Sequence, residues 1–171
     1  MKRIGALLVS GWLCVMLLGG CGSGGSKPVQ PVTAGFSCRI EATYGDMTVA
    51  GTLTRPGADT LRLQFDKPAS LSGVTLGYDG SRVTMELAGM SLKLEPERVP
   101  QSALIRLLLG ALTATPTGGQ LTDEGYVVTG QLDDRAFTLV FDSVTGMPGS
   151  LSVPEDGLQA TFTRQETVAA A

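Results

Sequence analysis

The sequence predicts an α+β fold, mainly β: a curved antiparallel sheet of about ten strands, an open half-barrel wrapped round one apolar helix. Three features point to it. About ten short runs alternate apolar with polar side chains, the period of a strand with one buried face. Gly, Pro and Asp separate these runs at intervals too short for helical crossovers, so neighbouring strands pair as antiparallel hairpins. One segment, Ala103 to Leu112, reads ALIRLLLGAL and is apolar almost all round a helix.

The chain starts Met1-Lys2-Arg3, runs apolar from Ile4 to Leu18, and then reads Leu18-Gly19-Gly20-Cys21. A basic start, an apolar middle and a small-residue end make residues 1–20 a secretory signal. The alternative, a retained signal anchor, needs about 20 apolar residues; this run is shorter and stops at glycines. Residues 21–35, with GSGGSKPVQPVTAG after Cys21, hold too few apolar side chains to pack and read as a flexible linker.

Residues 36–165 form the domain. Phe36, Cys38, Ile40, Ala42 and Tyr44 share one face of the first strand. Met47, Val49, Gly51 and Leu53 follow, then Leu61, Leu63 and Phe65, with turns at Tyr44-Gly45-Asp46 and Pro56-Gly57. After a loop at DKPASLSG, Val74, Leu76 and Tyr78 lead into Asp79-Gly80, a strong hairpin signal. Val83, Met85 and Leu87 return, and Met90, Leu92 and Leu94 make another short strand. Pro100 suits the first turn of the helix that follows, and only Arg106 and Gly110, four apart, relieve its apolar surface. About ten residues cannot span a bilayer, so the helix needs a concave apolar surface to lie in. Tyr126 to Leu132, Phe137 to Phe141, Met147 to Val153 and Leu158 to Phe162 complete the strands, and residues 166–171 read as a frayed tail.

The residues Gly51 to Leu87, with a Gly-led strand, Arg-Pro-Gly, another strand, Pro and an Asp-Gly hairpin, resemble the pattern of the LolA/LolB superfamily of bacterial lipoprotein carriers. The closing stretch FDSVTGMPGSLSVPEDGLQATFTR is similar to the superfamily's last hairpins, and the likeness runs from about Phe36 to Arg164. Leu-Gly-Gly-Cys likewise resembles the lipobox of bacterial lipoproteins, which implies that Cys21 receives a diacylglyceryl thioether and becomes the first mature residue. Two acyl chains hold a protein stably at a membrane. The implied place is the extracytoplasmic face of a bacterial membrane.

The superfamily resemblance implies an unclosed barrel with a helical lid over a cavity that takes acyl chains. In the family's periplasmic carrier an arginine of the Arg-Pro turn holds the lid through hydrogen bonds, and Arg55 matches it; the other reading of Arg55 is a solvated turn residue. The chain departs from the pattern where a linker replaces the carriers' first amphipathic helix and where no lipoprotein-receiving loop is recognisable. A LolA-like lipoprotein fits these residues better than a lipoprotein-sorting factor.

The chemistry points away from catalysis. With no His, the chain lacks the commonest general base and metal ligand. Asp123-Glu124, Asp133-Asp134 and Glu155-Asp156 are adjacent acids on turns, and they lack the spacing of a calcium loop. No enzymatic activity, cofactor or metal is expected. Once Cys14 leaves and Cys21 is acylated, Cys38 has no disulfide partner, and its register makes it a core residue rather than a reactive thiol. Losing Lys2 and Arg3 takes the 13 basic residues to 11 against 16 acidic ones, a net charge near −5. That balance argues against nucleic acid as a partner.

Two readings remain. In the first, the cup beneath Leu104, Leu107, Leu108 and Leu112 holds an acyl chain or another apolar ligand, with Phe65, Leu76, Tyr78, Phe137, Phe141 and Phe162 as its walls. In the second, these side chains pack one another into a solid core, and the domain meets an envelope partner through an edge strand or its outer face.

Overall fold

The computed structural model describes residues 31, 32, 34–95, 100–114 and 118–164. The signal residues, Cys21, most of the linker and residues 166–171 lie outside the described residues. Six strands come first: β1 (Phe36–Tyr44), β2 (Met47–Gly57), β3 (Thr60–Lys67), β4 (Thr75–Tyr78), β5 (Val83–Leu87) and β6 (Met90–Leu94). The helix α1 (Pro100–Thr113) follows, then β7 (Gly118–Thr122), β8 (Gly125–Leu132), β9 (Arg135–Phe141), β10 (Pro148–Val153) and β11 (Leu158–Arg164). Single 3₁₀ turns cover Ala69–Leu71 and Pro154–Asp156.

All the strands join one antiparallel sheet of 11 strands in the order β6-β5-β4-β3-β2-β1-β11-β10-β9-β8-β7. The first and last strands meet in its middle, with Cys38 opposite Arg164 and Tyr44 opposite Leu158. Its edges are therefore β6 and β7, the two strands that flank α1 in sequence. The chain leaves the sheet at one edge, crosses its inner face as the helix, and rejoins at the other edge. The sheet is not closed into a barrel, and α1 packs against β3 and β4 on one side and β8 and β9 on the other.

Alternation decides what is buried. Phe36, Cys38, Ile40 and Ala42 of β1, Leu61, Leu63 and Phe65 of β3, Phe137, Leu139 and Phe141 of β9, and Leu158, Ala160 and Phe162 of β11 all point inward. They share one apolar cluster with Leu104, Ile105, Leu107, Leu108, Leu109, Ala111 and Leu112 of the helix. This is the core that a half-buried sheet needs.

Two details differ from the sequence expectation. The chain turns at Ala58-Asp59, not at Pro56-Gly57, because β2 runs on to Gly57 through an irregular register between Thr54 and Gly57. Arg55 and Pro56 then face Leu61 together, as at a β-bulge. The second detail is β7, GGQLT, which the pattern does not mark as a strand. Its glycines and polar residues are nearly all exposed, and it is ordered by pairing with β8, from Gly118 opposite Thr129 to Thr122 opposite Gly125.

The turns take the residues their geometry needs. Asp133 and Asp134 both have positive φ, 48° and 65°, in the two-residue link between Leu132 and Arg135. At the β4–β5 hairpin, Asp79 Oδ1 accepts hydrogen bonds from the backbone N–H groups of Arg82 at 2.7 Å and Ser81 at 3.0 Å, and from the Ser81 hydroxyl. These bonds, that from Arg82 foremost, hold its carboxyl below the usual carboxylate range.

Candidate cleft under the helix

The helix is buried on most sides, as its composition requires. Leu104, Ile105 and Leu108 are 0% exposed, whereas Arg106 and Thr113 are exposed and Ala103 and Gly110 half-buried, forming one outward stripe. A Cβ at Gly110 would lie 2.7 Å from Leu132 Cδ1, a side-chain tip that would have to shift, so the missing Cβ lets Leu132 at the β8–β9 turn sit against the helix.

A helix leaves its last carbonyls without intrahelical partners. Thr113 Oγ1 donates to Leu109 O at 2.8 Å and the Ala114 N–H to Gly110 O at 2.8 Å. The carbonyl of Leu112 is reached from the sheet. Arg55, inward-facing on β2 and only 1% exposed, donates from Nη1 to Leu112 O at 3.2 Å and from Nη2 to Ala58 O at 2.6 Å. A cation also suits the negative end of the helix dipole. Arg55 is the one buried charged residue among the described residues, and its Nε meets no acceptor there. Burial pulls the guanidinium down from its ordinary value, partly offset by nearby Asp59.

Beside Arg55 lies a cleft of about 330 Å3, lined by Leu112 and Ala111 of the helix, Val128 of β8, Leu139 and Phe141 of β9, and Asp59 at its rim. A second, more polar groove of about 550 Å3 runs over the outward stripe of the helix. Tyr44, Tyr78, Leu107 and Arg106 line it, as do Asp133, Arg135 and Asp156. Arg135 Nη1 pairs with Asp156 Oδ1 across it at 3.1 Å.

The expected wall residues divide between these places. Leu112, Phe141 and Arg55 line the cleft, and Leu107 and Tyr78 line the outer groove. Leu104, Leu108, Phe65, Leu76, Phe137 and Phe162 line neither; they fill the core between helix and sheet. Sequence reasoning missed Val128 and Leu139, which sit in correctly assigned inward registers. Only the position of the helix end singles them out. Cys38 is a free thiol, 1% exposed, and burial pushes it up to about 11, which leaves it inert at neutral pH. Among the described residues no group of acidic, Cys or His side chains could hold a metal ion, and no helix is long and apolar enough to cross a membrane.

No family model matches the chain, and no curated protein matches it. Solved structures to which it is similar include an uncharacterized conserved protein from Thermus thermophilus, at 14% identity over 77% of this chain and 79% of that one, with a TM-score of 0.45. A LolA superfamily protein from Nitrosomonas europaea is 12% identical over 80% of this chain and 67% of that one, TM-score 0.35. LprF from Mycobacterium bovis is 10% identical over 79% and 87%, TM-score 0.36.

Proposed function

We propose that the protein is a lipoprotein, anchored through acylated Cys21 at the extracytoplasmic face of a bacterial membrane, that binds a hydrophobic ligand such as an acyl chain between its helix and its sheet. Residues 1–20 are the signal, and residues 21–35 the tether of the domain formed by residues 36–165. One observation carries the binding reading: an apolar-walled cleft of about 330 Å3 remains beneath the C-terminal end of α1. This is within the range of ligand sites, about 300–1,000 Å3. The binding walls on this reading are Leu112, Phe141, Val128 and Leu139, with Arg55 as the contact that steadies the helix.

The test is native mass spectrometry of residues 22–171 incubated with a membrane lipid extract. A discrete added mass equal to a lipid is the expected result, and bare protein at every lipid concentration would overturn the binding reading. Ala111→Phe, placed in the cleft wall, should abolish the added mass while costing no more than about 1–3 kcal/mol of stability.

A specific feature favours the second reading, contact with an envelope partner. Leu87, Met90 and Leu92, at the sheet edge formed by β5 and β6, are 43%, 70% and 58% exposed on the inner face, beyond the helix. An edge strand with exposed apolar side chains is a pairing surface. Loss of a crosslinked partner in Met90→Lys, with lipid uptake intact, would support that role.

A further inference from the structure

Resting on the anchored, ligand-binding reading above, we infer that the domain sets one end of its sheet against the bilayer that holds Cys21, with the β9–β10 loop touching lipid. The cleft then fills directly from that membrane. The partner is a lipid surface, met by the end of the domain at which the tether arrives.

The chain is already docked there before β1 begins. Pro31 lines the cleft, and Val32 packs against the core cluster while its N–H donates to Gly146 O at 2.8 Å. The Gly35 N–H donates to Arg55 O at 2.7 Å. Only residues 22–30 separate this docked segment from Cys21. Ten steps of fully extended chain span at most about 35 Å, and a flexible coil of that length averages about 16–19 Å. A domain of some 130 residues has a radius of gyration of about 14 Å and is about 35 Å across. On so short a leash the cleft end rests nearer the lipid than the opposite end does.

The same end carries an apolar side chain that the fold does not use. Val144, between β9 and β10, is 84% exposed. A lone exposed valine is ordinary; its place and its fixed loop single this one out. Asp142 Oδ1 accepts hydrogen bonds from the Val144 and Thr145 N–H groups at 3.1 and 2.6 Å and from the Thr145 hydroxyl at 2.7 Å. The Gly146 N–H closes the loop onto Asp142 O at 2.9 Å, and Gly146 O is the acceptor that Val32 uses. The loop that presents Val144 is thus bonded directly to the segment leading from the anchor. Asp142 and Asp59 lie at this end, so a zwitterionic surface suits it better than an anionic one. The exposed Leu87 and Met90 do not share the position: strand register puts their turn at the opposite end of the sheet from Phe36.

The experiment uses the full acylated chain, extracted from the membranes of cells that express it and placed in phosphatidylcholine vesicles. Val144→Cys and, separately, Met90→Cys are labelled with an environment-sensitive dye; Cys38, 1% exposed, does not compete. Lipids carrying a nitroxide near the head of the acyl chain then quench any dye that touches the membrane. The dye on Val144→Cys should lose most of its emission, and that on Met90→Cys should keep it. Equal quenching at both sites, or none at Val144→Cys in chains that stay with the vesicles, would overturn the inference and leave the anchor standing. Shielding of Val144→Cys from aqueous iodide without quenching by lipid would overturn it too, since a protein then covers this end. Chains that leave the vesicles would overturn the anchored reading itself.

A diazirine on the acyl chain of the same vesicle lipid tests the filling route. It should crosslink to peptides of α1, β8 or β9, and Val144→Asp should slow that labelling several-fold. Unchanged labelling in Val144→Asp would overturn the route, and labelling of none of these peptides would overturn the binding reading.

Discussion

Two buried residues carry chemistry that their neighbours do not. Cys38 faces the core from β1, and burial raises its thiol from 9.0 to about 11. The folded state therefore favours the protonated form. The stabilisation is complete below the unfolded value near 9 and is lost as pH rises towards 11. Denaturant midpoints should fall more steeply over this window for the natural chain than for Cys38→Ala, by up to about 3 kcal/mol. Matching slopes would contradict the assignment. On the acid side, Asp79 and Asp142 are both held below the usual range, Asp142 chiefly by the Thr145 hydroxyl. Their contribution is present above the ordinary carboxylate value and is lost as pH falls below it through the lowered folded values. Arg55 is the other such residue. Arg55→Met removes the donors to Leu112 O and Ala58 O, and urea unfolding should show a loss of about 1–3 kcal/mol for the polar groups left unpaired. An unchanged midpoint would mean that these carbonyls find water without cost.

At the scale of the element, the helix and one glycine in β2 decide most. Leu108 is 0% exposed and lines neither the cleft nor the groove, so Leu108→Trp overpacks a filled region and should cost about 1–3 kcal/mol. Thermal unfolding at the natural midpoint would reveal a hidden cavity there. Gly51 lies where the β2–β3 register shifts, and a Cβ on it would sit 2.0 Å from the backbone oxygen of Gln64. Gly51→Ala must push β3 away from β2, and because backbone cannot swing aside as a side-chain tip can, a loss above about 3 kcal/mol is expected by chemical denaturation. The helix was legible in the sequence because its residues are apolar in every direction, and so were Arg106 and Gly110 on its open side. The strand β7 was not legible. Two glycines and exposed polar side chains carry no period, and only the ladder to β8 orders them.

Across the whole molecule, the sheet stays open because the chain spends the link between its edge strands on the helix. The helix fills the inner face between β3–β4 and β8–β9. This leaves the inner face of the β5–β6 edge uncovered, with Leu87, Met90 and Leu92 exposed, and Leu121 of β7 61% exposed at the other edge. Replacing Met90 and Leu92 together by Lys should change stability by no more than about 0.5 kcal/mol, since neither is buried. It should also suppress self-association at high concentration, read by analytical ultracentrifugation, because charged edge residues block strand pairing. An unaltered sedimentation profile would show that these edges do not pair. The six wall candidates that line neither cleft nor groove carry the same lesson at this scale: an alternating pattern says that Phe65 or Phe162 points inward, not whether the space it enters is already full.

The sequence alone determined most of the strand periods and hairpin turns, the inward register of the core and the need of the Ala103–Leu112 segment for a concave apolar surface. These follow from local patterns of side-chain polarity and from turn residues with restricted backbone choices. Tertiary structure alone decided that β1 and β11 meet in the middle of the sheet, that GGQLT is its last strand, and that the free space lies under the C-terminal end of the helix beside Arg55. Each of these depends on which distant segments come together and how tightly they pack. A volume left over between a helix and a sheet is set by all of their side chains at once and by no short stretch of the chain.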